Sequence, residues 1–178
     1  MNRLFAILIV FVLAPGIAHA QHRQPYAGLE VRSIKALSEQ QIADLKAGRG
    51  LGLALAAELN GYPGPMHVLE LADRLGLSDE QRTKVQELLA AMKAEAVPLG
   101  DTLIAQEADL DKQLADKTMT PARLEAATNA IGSTNAALRR AHLKYHLSTL
   151  DVLTGAQAQR YGELRGYKGP MQHQHGRQ

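Results

Sequence analysis

The sequence predicts an all-α protein built around a long, bent antiparallel helical hairpin with short flanking helices. The pattern Leu-[Ser/Thr]-x-x-Gln occurs as Leu37-Ser38-Glu39-Gln40-Gln41, Leu77-Ser78-Asp79-Glu80-Gln81 and Leu153-Thr154-Gly155-Ala156-Gln157. In each copy the hydroxyl can accept from the amide three residues on, while the Gln side chain reaches back to the cap's own amide. This capping box satisfies two donors that a helix start otherwise orphans. Between the last two copies, apolar residues recur at three- and four-residue steps over two long stretches, the period of an amphipathic helix. The chain has no Cys or Trp, so any core must be packed from Leu, Ala, Val, Ile and Met with Tyr to help.

The first segment reads as an address. Asn2-Arg3 is a short basic region, Leu4 to Ala14 is an unbroken apolar run, and Ala18-His19-Ala20 is a small-x-small cleavage site before Gln21. We read residues 1–20 as a secretory signal peptide, too short in its apolar run for the roughly 20 residues that span a bilayer. The expected product is a periplasmic protein with no stable membrane insertion after cleavage. Both Phe residues, Phe5 and Phe11, lie in that segment. The 178-residue chain carries 20 basic and 18 acidic residues, and losing Arg3 brings them closer still, so composition makes no case for nucleic acid.

Residues 21–61 are expected to form an N-terminal extension with one helix, preceded by a lead-in over 21–36 that lacks periodicity. From Ser38 the helix meets Gly48, Gly50 and Gly52 and resumes through Leu55 and Leu59 to Asn60-Gly61. The glycines have neither the spacing nor the preceding strand of a phosphate cradle. Pro63 and Pro65 break the chain, and Pro65 suits the first position of a short helix ending at Gly76. A hairpin domain then covers 62–166.

Ser78 starts its first long helix, whose seam runs through Val85, Leu88, Met92, Ala96, Leu99, Leu103, Leu110 and Leu114. Pro98 and Gly100 interrupt the seam, and a proline inside a helix predicts a kink. After a turn at Thr118 to Thr120, Pro121 opens the second long helix, with Leu124, Ala127, Ile131, Thr134, Leu138, Ala141 and Tyr145 on one face. A short connection between two such helices makes them antiparallel neighbours. Thr154 caps a last helix to about Arg165, and 167–178 is a flexible His-containing tail.

A second echo joins Gly61-Tyr62-Pro63-Gly64-Pro65-Met66 to Gly166-Tyr167-Lys168-Gly169-Pro170-Met171. We read it as a reused helix stop, in which Gly releases the last carbonyls and Pro forbids continuation.

Leu77, Ser78 and Gln81 heading one long helix, and Leu153, Thr154 and Gln157 closing the hairpin behind a secretory signal, resemble the LTxxQ-motif family of periplasmic proteins. This Spy/CpxP group includes zinc-resistance-associated and periplasmic heavy-metal-sensor proteins. The resemblance covers roughly residues 62–165, and departs from the family where Gly155-Ala156 replaces the more frequent Pro-Glu. It implies a bent all-helical hairpin, often a homodimer, with no enzymatic activity. The functions implied are ATP-independent chaperoning of unfolded clients, modulation of a membrane-anchored signalling protein, or metal sensing.

The residues themselves favour metal. His142 and His146 lie four apart, so their rings emerge within about 40° of each other and one turn apart, an arrangement that lets two imidazoles share an ion. Antiparallel pairing places His146 opposite Met92 and His142 opposite Ala96. His67 and Glu70, three apart on the preceding short helix, should fold back to the same open end. The expected site is a mixed nitrogen and oxygen set of His142, His146, His67 and Glu70, with Met92 as a soft extra ligand. Its ion would be a divalent transition metal, Zn, Ni, Co or Cu. Structural or solvated histidines are the competing reading, and His173 and His175 in the tail could bind copper or nickel weakly. No nucleophile elbow or HExxH appears. The sequence therefore points to a metal-responsive stress or resistance protein, with a chaperone as the alternative.

Overall fold

The computed structural model describes residues 24–167; the expected signal peptide and the tail residues Met171, His173 and His175 lie outside that range. The described residues fall into two units, 24–30 and 31–167. In the first, described from Gln24, two tight turns form as Ala27 donates to the Gln24 carbonyl and Leu29 to that of Tyr26. All helices among the described residues belong to the second unit.

These are α1 (Glu39–Lys46), α2 (Leu55–Leu59), α3 (Pro65–Glu70), α4 (Ala72–Leu75), α5 (Asp79–Ala115), α6 (Pro121–Val152) and α7 (Gly155–Leu164). The protein is all-α. The segment expected to hold one helix holds two, because the chain between them turns left-handed at Gly48, Leu51 and Gly52, with φ of 66°, 45° and 79°. The expected helix from Pro65 to Gly76 is likewise two, α3 and α4, which meet at Leu71. The described part of the lead-in is anchored at its end. Ile34 and Leu37 pair as an isolated bridge and are both buried.

All three capping boxes are formed. Ser38, Ser78 and Thr154 accept from the amides of Gln41, Gln81 and Gln157, whose side chains return to the amide of the cap. Thr120 caps α6 by accepting from the Arg123 amide, with Pro121 at the first helical position, where a missing N–H costs nothing. α5 runs unbroken through Pro98.

α5 and α6 pack along each other as an antiparallel hairpin joined by residues 116–120. Its register is visible at Glu95, which accepts from Lys144 and, at 3.1 Å, from the Tyr145 hydroxyl. The open end is fastened by the two motif glutamines. Gln81 Nε2 donates to Gln157 Oε1 at 2.9 Å, and Gln157 Nε2 donates to Gln81 Oε1 at 3.0 Å. Gln81 Nε2 also reaches the Val152 carbonyl at 2.9 Å, tying the start of α5 to the end of α6.

The apolar seam separates into two cores. One gathers Ile34, Leu37, Leu45, Ala96, Leu103 and Leu138 where α1 crosses the hairpin. The other gathers Val68, Ala72, Leu75, Leu77, Val85 and Tyr161 at the open end, under α3, α4 and α7. Fully burying one such aliphatic side chain contributes roughly 1.5–3 kcal/mol. The turn end of the hairpin lacks that support, since Leu114 and Leu124 of the expected seam are exposed.

The crossing of α1 over α5 depends on Gly100. A Cβ there would lie 2.7 Å from the Leu45 carbonyl oxygen, so the two backbones touch where the sequence suggested only a helix interruption. Gly100→Ala sets two effects against each other. Helix propensity favours alanine by about 1 kcal/mol, while overpacking costs about 1–3 kcal/mol. Packing should win, lowering the free energy of unfolding in a urea titration; a more stable variant would mean that α1 does not seat on α5.

Candidate functional site

Between the two cores, α5 presents Met92 and α6 presents a polar band, His142, His146 and Thr149, all buried. This band follows from α6 register. Leu138, Ala141, Tyr145 and Thr149 face inward at three- and four-residue steps, and the two histidines ride beside them. Thr149 satisfies itself by donating to the Tyr145 carbonyl at 2.7 Å. The histidines are covered by two irregular segments from earlier in the chain.

The glycine-rich segment lies over His142, and the turn at 62–64 lies over His146. A Cβ on Gly50 would stand 3.2 Å from His142 Nδ1, and one on Gly64 would stand 2.8 Å from His146 Cε1. Only glycine permits the second approach without displacement. His146 Nδ1 lies 2.7 Å from the Tyr62 carbonyl oxygen, which can only accept, so Nδ1 carries a proton and the neutral tautomer compatible with this bond has its lone pair on Nε2. His67 Nδ1 lies 2.8 Å from Glu70 Oε2, a carboxylate that accepts from it. His142 is 3% exposed, and its Nε2 is buried without a hydrogen-bond partner. Burial and the neighbouring His146 hold its pKa below the usual histidine value, keeping the ring neutral.

Behind His146 sits Glu58 of α2, 7% exposed. Its Oε1 accepts from the hydroxyls of Tyr161 and, at 3.0 Å, Tyr167, and lies 3.5 Å from Arg165 Nε. Its Oε2 has no hydrogen-bond partner and stands 3.7 Å from His146 Nδ1. Burial, reinforced by Glu58, pushes the Tyr161 hydroxyl well above its ordinary pKa, so it remains a donor. A buried carboxylate is stable only when paired and hydrogen-bonded, and here the last turn of α7 and the residues after it supply the partners.

The repeated Gly-Tyr steps place those partners. After α2, Gly61 donates to the Glu58 carbonyl and Tyr62 to that of Ala57; after α7, Gly166 donates to Glu163 and Tyr167 to Gly162. Both glycines are left-handed, with φ of 85° and 74°, so each copy is the same helix stop. The first stop delivers the Tyr62 carbonyl to His146, and the second delivers the Tyr167 hydroxyl to Glu58.

A cavity of about 370 Å³ opens among these groups, lined by His67, Met92, His142 and His146 together with Met66, Glu58, Arg49, Lys93 and Arg165. Of the residues the sequence singled out for a site, four therefore share one cavity. Glu70 is not among its lining residues; it is exposed and hydrogen-bonded to His67. Glu58 was not singled out, and Met66, Gly50 and Gly64 were not read as site residues; the Gly-Tyr echo contains Gly64 and Met66, and Gly50 stands in the glycine run that lacks the pattern of a phosphate cradle. Among the described residues, no three His, Cys, Asp or Glu side chains stand close enough together to hold one metal ion.

Comparison of the chain with protein-family models, curated proteins and solved structures finds no match.

The neutral state of His142 has a pH signature. The unfolded ring titrates near 6.5 and the folded ring below it, so beneath that pH the unfolded chain binds more protons. The stability that His142 contributes is complete above about pH 6.5 and is lost as pH falls through the depressed folded value. Urea midpoints measured at about pH 7.5 and about pH 5.5 should differ more for the wild type than for His142→Gln. An equal difference would show that the ring is not held neutral.

Proposed function

We propose that this is a periplasmic metal-responsive stress or resistance protein, in which His142 and His146 bind a transition metal ion at the open end of the hairpin. The observation that carries the proposal is the unpartnered, buried Nε2 of neutral His142, one turn from a histidine whose Nδ1–H is committed to the Tyr62 carbonyl. A buried polar atom without a partner costs free energy, and metal ligation would repay it. Donation from the other ring nitrogen to a carbonyl or carboxylate is how proteins orient a ligating imidazole, and His146 and His67 both have it. The donor groups therefore fit a metal, with His67 and Met92 as the further groups on the same cavity.

Binding there would link the glycine-rich segment, the turn at 62–64 and α6, so occupancy would be read as the fastening of this end. The resemblance to LTxxQ-motif proteins supports the periplasmic setting, a homodimer and a membrane-anchored signalling partner. A chaperone is the second reading, favoured by the exposed leucines Leu114 and Leu124 at the turn end, which could meet unfolded clients.

Metal that binds only the folded state stabilises it by about 2.7 kcal/mol at a concentration a hundred times its Kd. Thermal unfolding with zinc, nickel, cobalt or copper should show an upward shift that disappears in His142→Ala/His146→Ala. Melting curves that no metal moves would remove the proposal. If the same double variant still suppresses aggregation of a denatured protein without metal or ATP, that activity belongs to the hairpin arm.

A further inference from the structure

We propose that the cavity selects a soft monovalent ion, Cu(I) or Ag(I), through the imidazoles of His142 and His146 and the thioethers of Met92 and Met66, over divalent zinc, nickel or cobalt. This rests on the reading of the cavity as a metal site.

Three features of the cavity point the same way. The first is donor chemistry. Thioethers select Cu(I), imidazole suits copper as well as zinc, and carboxylates suit harder ions. Met92 is buried on α5, Met66 lies on α3, and both line the cavity with the two histidines. The one carboxylate on the lining, Glu58, has its Oε1 taken by Tyr161 and Tyr167, and its Oε2 faces the protonated side of His146 rather than the lone pair.

The second feature is ligand count. Structural zinc takes four protein ligands and catalytic zinc three, whereas d¹⁰ Cu(I) and Ag(I) accept two or three. Among the described residues no three His, Cys, Asp or Glu side chains group closely enough to hold a metal ion, whereas the lining of this one cavity offers two imidazoles and two thioethers from which the lower demand can be met.

The third is charge. Arg49, Lys93 and Arg165 also line the cavity; Arg49 is paired with Asp44 at 2.5 Å and Arg165 lies 3.5 Å from Glu58, so among the described residues Lys93 is the one of the three without an ion pair and the lining keeps a net positive charge. Coulomb repulsion scales with the ion's charge, so this surrounding field opposes a divalent ion twice as strongly as a monovalent one.

The test uses the full chain and compares silver nitrate in chloride-free buffer with zinc, cobalt and nickel by isothermal titration. Anaerobic Cu(I) is measured in competition with a chromogenic chelator. Ag(I) and Cu(I) should bind at least about tenfold more tightly than any divalent ion. Met66→Leu/Met92→Leu conserves volume, so it should fold while losing about tenfold or more in Ag(I) affinity. Met171→Leu/His173→Ala/His175→Ala should leave that affinity unchanged. Tighter binding of zinc, cobalt or nickel than of silver overturns this inference and leaves the metal-binding reading standing. Silver affinity indifferent to the Met66 and Met92 substitutions, or abolished by the tail substitutions, also overturns it. No ion bound through His142 and His146 removes both.

Discussion

The reciprocal amide pair between Gln81 and Gln157 governs the arrangement of the open end. Each glutamine is already the third residue of a capping box, its oxygen accepting from the amide of Ser78 or Thr154. The same side chains then use their amide donors on each other, on the Val152 carbonyl and, at 3.4 Å, on the Gly76 carbonyl. A local device that starts a helix thus becomes a joint between four elements, α4, α5, α6 and α7. A hydrogen bond of this kind contributes only about 0.5–1.5 kcal/mol net, but its geometry fixes where α7 leaves α6. That exit angle sends Tyr161, Arg165 and Tyr167 to Glu58, and Glu58 backs His146.

The cavity is in this sense a consequence of helix termini. Two identical helix stops supply the Tyr62 carbonyl and the Tyr167 hydroxyl, and two close-approaching glycines let irregular chain lie directly on the imidazoles. Long helices alone would leave His142 and His146 on an open surface. With the glycine-rich segment and the turn at 62–64 drawn over them both are buried, and His142 is held neutral with its Nε2 unpartnered, the state in which an imidazole is available as a ligand.

What could be read from the sequence follows the range of the interaction concerned. Helix starts at Ser38, Ser78 and Thr154 were legible because a capping box is complete within four residues. The inner halves of α5 and α6 were legible from period, and Val85, Met92, Ala96 and Leu138 are buried as that period requires. Leu114 and Leu124 obey the same period and are exposed, since periodicity reports a face and not what covers it. In the lead-in Ile34 escaped, because it enters the core as a single anchor without a repeat.

At the site, the spacing of His142 and His146 correctly placed two rings on one face of α6. Glu70 lies off the cavity lining, and the three-residue spacing that aligned it with His67 also lets the pair hydrogen-bond to each other. Glu58 was illegible, since its burial depends on hydroxyls more than a hundred residues away. The account's central claim, that the glutamine joint holds the cavity together, is tested most directly by amide hydrogen exchange in Gln157→Leu. Exchange should rise around 54–67 and 153–165 while 104–133 stays as in the wild type. Unchanged exchange over 54–67, with loosening confined to α7, would contradict the claim.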